Sequence, residues 1–186
     1  MRAANTSWQI AGLKTCGIRG FNLTMPNKNK IVELLDELSP EAQLIGAVNT
    51  VLNDNGKLIG YNTDGYGFMQ SVRDAGHDIT GKNITVMGVG GASMAICAQS
   101  ALDGAASVHI FARRTSRYWN RTQKFAENLS AKTGCQVCLF DNDDHTALRD
   151  SIAQSYLLIN ATSVGMVPDI DDTIIKDTSL FHPELV

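Results

Sequence analysis

The chain has 186 residues, enough for one large domain or two small ones at roughly 150 residues per domain. Apolar residues make up 44%, charged residues 19% and aromatic residues 6%, which suits a globular protein and excludes disordered, collagen-like and coiled-coil chains. A net charge of -3 argues against a nucleic-acid binder, and with no apolar run of about 18 residues and no secretory signal the expectation is a cytoplasmic protein with a small-molecule partner and no membrane.

The first 65 residues are dense in turn signals around short apolar runs and read as part of a separate domain. In Gly20-Phe-Asn-Leu-Thr-Met-Pro-Asn-Lys28, polar Asn22 and Thr24 alternate with apolar Phe21 and Leu23. A strand ending there would project Lys28 from its C-terminal edge, where open α/β sheets bind ligands. Ile31 to Leu38 reads as a helix. Ala47 to Leu52 and Lys57 to Tyr61 read as a hairpin joined by the four-residue turn Asn53-Asp-Asn-Gly56. After the polar turn Asn62-Thr-Asp64-Gly65, Tyr66 to Ala75 reads as a helix bridging two domains. Taken alone, a loop lysine and a loop aspartate such as Lys28 and Asp64 are more often solvated surface charges than reactive groups.

From about residue 82 strand and helix signals alternate. Strands are expected over Asn83 to Met87, Ser107 to Phe111, Cys135 to Phe140 and Tyr156 to Asn160. Helices are expected over Ala92 to Leu102, from about Tyr118 to Lys132, and from about Thr146 to Ala153. Strands regularly separated by helices imply βαβ units and a parallel sheet covered on both faces. The expected class is therefore α/β: a Rossmann-type parallel sheet over residues 76–186, and over residues 1–75 part of a second α/β domain.

The strongest local signal is Thr85-Val-Met-Gly-Val-Gly-Gly-Ala-Ser93, a strand running through glycines into a helix. Gly88 permits a tight turn, and Gly90 and Gly91 let backbone amides approach a pyrophosphate at the positive end of the helix. Ser93 stands where the dinucleotide fingerprint usually has its third glycine. Between Gly104 and Ala126 there is no acidic residue to accept bonds from a ribose diol, as NAD-selective sites require. That stretch instead carries Arg113, Arg114, Arg117, Arg121 and Lys124. Guanidinium groups pair with a phosphate dianion, so NADP is favoured over NAD; Arg121 and Lys124, deeper in the helix, suit a solvated face better. Cys16, Cys97, Cys135 and Cys138 are scattered, and Cys135 and Cys138 fall three apart on a strand, facing opposite sides. Ordinary reduced cysteines fit better than a disulfide framework or a metal site, and no metal is expected.

The segments Gly20 to Lys28, Gly46-Ala-Val-Asn-Thr50, Gly60-Tyr-Asn-Thr-Asp-Gly-Tyr-Gly-Phe68, Gly88-Val-Gly-Gly-Ala92 and Asn160-Ala-Thr-Ser-Val-Gly-Met166 resemble, in order, the motifs of the shikimate dehydrogenase family. Met25-Pro-Asn-Lys28 and Phe111-Ala-Arg-Arg114 lean toward its quinate/shikimate branch. The resemblance implies NAD(P)-linked reduction of 3-dehydroshikimate to shikimate, or of 3-dehydroquinate to quinate, in a cleft between two α/β domains. It implies that Lys28 and Asp64 are the catalytic pair and also bind substrate, with Thr24 and Asn49 bonding substrate hydroxyls. It places the pyrophosphate on Gly88, Val89, Gly90, Gly91 and Ala92, the adenosine ribose against Arg113, Arg114 and Thr115, and Ser163 beside the cofactor. A homodimer is compatible with it.

Ala112 stands where the family commonly has Asn, and Thr115 where the quinate branch often has Asp, which removes an acid that favours NAD. No segment resembles the family's N-terminal serine pair or its C-terminal glutamine-bearing helix, so the chain reads as truncated. A cofactor-binding fragment or pseudoenzyme of the same family is the alternative reading.

Overall fold

A computed structural model describes residues 6–168 and 170–186. The first part of the chain forms helix α1 (Thr6–Thr15), strand β1 (Gly20–Asn22), a 3-10 turn over Val32–Leu34, strand β2 (Glu37–Leu38) and helix α2 (Pro40–Ile45). Strands β3 (Thr50–Asp54) and β4 (Lys57–Tyr61) and helix α3 (Asp64–Asp74) follow. The four strands pair in the order β1-β3-β4-β2, with β2 parallel to β4 and the other pairs antiparallel. Beyond Lys82 the order is strand β5 (Asn83–Met87), helix α4 (Gly91–Leu102), strand β6 (Ser107–Ala112), helix α5 (Trp119–Thr133), strand β7 (Gln136–Asp141), helix α6 (His145–Gln154) and strand β8 (Leu157–Asn160). These strands form a second sheet, β7-β6-β5-β8, in which every pair is parallel.

The second sheet follows the sequence expectation to within a residue or two at each end, because β5 and β6 are buried on both faces and their runs are almost wholly apolar or β-branched. Val86, Val108 and Ile110 pack against Met94, Ala98 and Leu129. On the opposite face Met87 and Phe111 meet Leu148 and Ile152 of α6. Ile45, Ala47, Met69 and Val72 belong to the same buried cluster as Val86 and Met94, so one core ties the first part of the chain to the second sheet.

Three expectations for the first part are corrected. Ile31 to Leu38 is not a helix: after the short 3-10 turn Leu35 is extended, and the chain joins the sheet as β2. The Asp36 amide donates to the Leu58 carbonyl at 3.0 Å, the Ser39 amide donates to the Gly60 carbonyl at 2.8 Å, and the Asp36 carboxylate accepts from the Leu58 amide at 2.7 Å. Pairing with β4 thus outweighs local helix propensity. The hairpin is real, but Asp54 pairs with Lys57, so Asn55-Gly56 alone makes the turn, and β3 starts at Thr50 rather than Ala47. Asn55 takes a positive φ of 51°, as a two-residue hairpin of this twist requires. The bridging helix starts at Asp64, two residues before the expected start.

Helix α3 lies directly on α4. A Cβ on Gly65 would stand 2.3 Å from the Ala95 carbonyl oxygen, so only glycine allows this approach. Gly67, on the same helix, faces open space with nothing within 4 Å of a Cβ. Gly65→Ala is therefore expected to destabilise the fold by about 1–3 kcal/mol through overpacking. Gly67→Ala is expected to stabilise it by up to about 1 kcal/mol through helix propensity. Urea denaturation of the two variants checks the contrast, and equal effects would contradict the close approach.

Candidate active site

Lys28 follows β1 after a turn closed by the Asn27 amide on the Thr24 carbonyl at 3.0 Å. Its own carbonyl accepts from the Val48 amide at 2.8 Å, which pins this backbone beside the strand pair. Asp64 opens α3, where the helix dipole favours a carboxylate. Lys28 Nζ donates to Asp64 Oδ2 at 2.6 Å, and Asn49 Nδ2 donates to Asp64 Oδ1 at 2.7 Å. Both carboxylate oxygens are thus held, one by a charge and one by a neutral amide. The pair sits at a rim, with side-chain exposures of 23% and 37%, so solvent reduces its contribution to stability to about 1 kcal/mol or less.

Asn49 is buried, and its amide is fully engaged. Its Oδ1 accepts from the Thr63 amide at 3.0 Å and from Thr50 Oγ1 at 2.9 Å, while Nδ2 also reaches Thr63 Oγ1 at 3.1 Å. Asn62, also buried, accepts from the Asp64 amide at 3.2 Å and donates to the Ala47 carbonyl at 3.1 Å. Two asparagines therefore fix the start of α3 and aim its first side chain at Lys28.

Between β5 and α4 the chain turns at Gly88, whose φ of +112° is unfavourable for other residues and whose Cβ would lie 2.9 Å from the Ala161 carbonyl oxygen. Ser93, in the third-glycine position, is fully buried and donates from Oγ to the Gly88 carbonyl at 2.6 Å, so the hydroxyl braces the turn from behind. Gly90 caps α4 without a side-chain hydrogen bond, and Gly90 and Gly91 face open space. The first amides of α4 are thereby available to an anion.

Two cavities flank this turn. A cleft of about 960 Å³ is lined by Gly88, Val89, Gly90, Arg113, Thr115 and Ser163, with Arg117, Asn142 and Thr162 among its other walls. Among the described residues no carboxylate lines it. A recess of about 330 Å³ is lined by Lys28, Asp64, Asn62, Gly91 and Arg121. Val89, Gly90 and Tyr118 belong to both, so cleft and recess adjoin at the turn. Asn142 Oδ1 is buried and, among the described residues, has no hydrogen-bond partner.

The remaining sequence candidates lie outside these cavities. Thr24 is exposed and lines neither, Ala92 is within the first turn of α4, and Asn49 lies behind Asp64. The Arg114 guanidinium lies over the Trp119 ring at 4.6 Å, away from the cleft lining. Arg117 donates to the Tyr118 hydroxyl at 2.6 Å. Tyr118, Asn62 and Asn142 were not singled out by sequence reasoning. Burial pushes the Cys97 thiol up to about 12 and the Cys135 thiol up to about 11, which suits inert packing residues. Among the described residues, no three His, Cys, Asp or Glu side chains form a group that could hold a metal ion. No described helix is long and apolar enough to cross a membrane.

Residues 1–51 match the model of the shikimate dehydrogenase substrate binding domain. A shikimate dehydrogenase (NADP(+)) of Listeria innocua is 47% identical over 177 residues, covering 95% of this chain and 60% of the relative. A quinate/shikimate dehydrogenase of Escherichia coli is 41% identical over 177 residues, covering 95% of this chain and 61% of the relative. A shikimate 5-dehydrogenase from Listeria monocytogenes, solved in complex with shikimate and NAD, superposes with a TM-score of 0.96 at 44% identity, covering 100% of this chain and 64% of that one. The chain thus spans about 60% of the length of the curated relatives it matches.

Asn49 and Lys28 should separate sharply in stability. Asn49→Ala leaves the Thr63 amide and one Asp64 oxygen without their partner and is expected to cost about 1–3 kcal/mol. Lys28→Ala, at the solvated rim, is expected to cost about 1 kcal/mol or less. Denaturant midpoints test the difference, and a larger loss for Lys28→Ala would contradict this division.

Proposed function

We propose, from the premise that this chain belongs to the shikimate dehydrogenase family, that it interconverts 3-dehydroshikimate and shikimate, with 3-dehydroquinate and quinate as the alternative acid pair, and that NADP is its preferred dinucleotide. The observation that carries the proposal is the Lys28–Asp64 contact of 2.6 Å in a recess that shares a wall with the glycine turn. Residues 1–75 would supply the acid-binding side and residues 76–186 the nucleotide-binding side, with α3 joining them. The free thiols suit a reducing compartment, and we place the protein in the cytoplasm.

The residues present fit a dinucleotide. Gly88 forms a cradle that a side chain would fill, the first amides of α4 have no side-chain cap, and Asn142, whose orphaned oxygen is buried, lines the cleft. Gly88, Val89, Gly90, Gly91 and Ala92 would hold the pyrophosphate through backbone amides. Arg113 and Thr115 would take the phosphorylated ribose, and Ser163 would border the ring end. Arg114, engaged with Trp119, would support that loop instead of gripping phosphate. When bound, the dinucleotide supplies a hydride to the carbonyl carbon.

Lys28 would hold the proton that passes to the C3 oxygen as charge develops there. Asp64 would keep the ammonium aimed at that oxygen and accept a hydrogen bond from a neighbouring hydroxyl. Asn49 would act through Asp64, and Thr24 would meet a hydroxyl at the open rim. The NADP preference rests on charge: a ribose phosphate would meet guanidinium groups and, among the described residues, no carboxylate in the cleft.

Steady-state reduction of NADP with shikimate and with quinate tests the proposal. Turnover with at least one acid is expected, and NADP binding with no turnover on either would reject the enzymatic reading. Lys28→Ala is expected to lower kcat by about 10²-fold or more. An effect confined to KM would make Lys28 a binding group instead. Arg113→Ala is expected to weaken NADP more than NAD, and equal losses would reject the phosphate contact.

A further inference from the structure

Arg121 is the one cation of the basic helix that faces the recess. It is the third residue of α5, exposed, and among the described residues its side chain has no hydrogen bond, ion pair or ring contact. Arg117, in the turn before the helix, lines the cleft on the other side of Tyr118. The glycine turn that separates cleft from recess therefore has a guanidinium on each side.

The charges around this junction do not balance. Among the described residues, Lys28, Arg113, Arg117 and Arg121 line the two cavities, against the single carboxylate of Asp64. That carboxylate already holds Lys28 and Asn49. Arg121 is thus a cation without a counter-ion, lining the same recess as Gly90 and Gly91, where the α4 amides are uncapped.

We infer that Arg121 binds the diphosphate bridge of the dinucleotide, reaching from α5 across the glycine turn. The inference rests on the dinucleotide reading above and adds to it a residue that the helix position alone assigned to solvent. A dianion at the turn would have α4 amides on one side and a planar guanidinium with paired donors on the other. The diphosphate is common to NADP and NAD, so Arg121 would add affinity for both without choosing between them. It differs in this from Arg113, whose contact is with the ribose phosphate.

Isothermal calorimetry on the whole chain, with NADP and NAD as separate titrants, tests this against Arg121→Gln and Arg121→Lys. Arg121→Gln is expected to weaken both dinucleotides by the same factor, about tenfold, as befits a solvated charge-assisted contact. Arg121→Lys is expected to recover part of the loss, and added salt to narrow the gap between wild type and Arg121→Gln. An unchanged thermal midpoint separates binding from folding. Loss of NADP affinity alone would overturn the inference by moving Arg121 to the ribose phosphate. Unchanged affinity for both would also overturn it, whether or not KM for the acid rises. Failure of the wild-type chain to bind either dinucleotide would instead overturn the cofactor reading on which the inference rests.

Discussion

The geometry of the Lys28–Asp64 pair depends on how closely α3 approaches α4, and that distance is set where Gly65 meets the Ala95 carbonyl. Asp64 is the residue just before this contact and α4 the helix that the glycine turn opens, so one close approach fixes both the carboxylate and the uncapped first amides of α4. A larger side chain at position 65 would push the helices apart and carry Asp64 away from the turn. The buried cluster that includes Ile45, Met69, Val86 and Met94 holds the same relationship from below. Packing, rather than the ion pair itself, brings Lys28 and Asp64 to the recess beside the glycine turn. The ion pair is too solvated to do that work.

Around this frame the polar groups divide by burial. Asn49, Asn62 and Ser93 are buried and satisfied, and each holds backbone or a carboxylate in place. Lys28, Arg113 and Arg121 reach into open cavities. Buried polar groups in low dielectric are costly to leave unpaired, so the first set gives a rigid base. The second set stays open to solvent.

Legibility in the sequence followed the same division. The parallel sheet was readable because β5 and β6 are buried on both faces, leaving apolar runs bounded by glycine and helix formers. The stretch from Ile31 to Leu38 misled because its outcome depends on β4, twenty residues on, whose Leu58 and Gly60 carbonyls take the Asp36 and Ser39 amides. Helix α2 was passed over although Ser39 caps it, Pro40 begins it and Gly46 ends it with a left-handed turn. At the site, the glycine turn was legible from local spacing, whereas the pairing of Lys28 with Asp64 spans 36 positions and came only through family resemblance. Asn49 was read as a substrate contact, but nothing in a lone asparagine reveals that its amide is taken up by Asp64 and Thr63. The ring that occupies Arg114 lies on the following helix, a contact that spacing did not suggest.

That Lys28 and Asp64 act as one unit is the central claim, and a double-mutant cycle on kcat measures it most directly. If the carboxylate works by holding the ammonium, then Lys28→Ala combined with Asp64→Ala should be no slower than the worse single variant, to within about threefold. Losses that multiply would mean two independent roles, and single variants that keep the wild-type kcat would remove both residues from the chemistry.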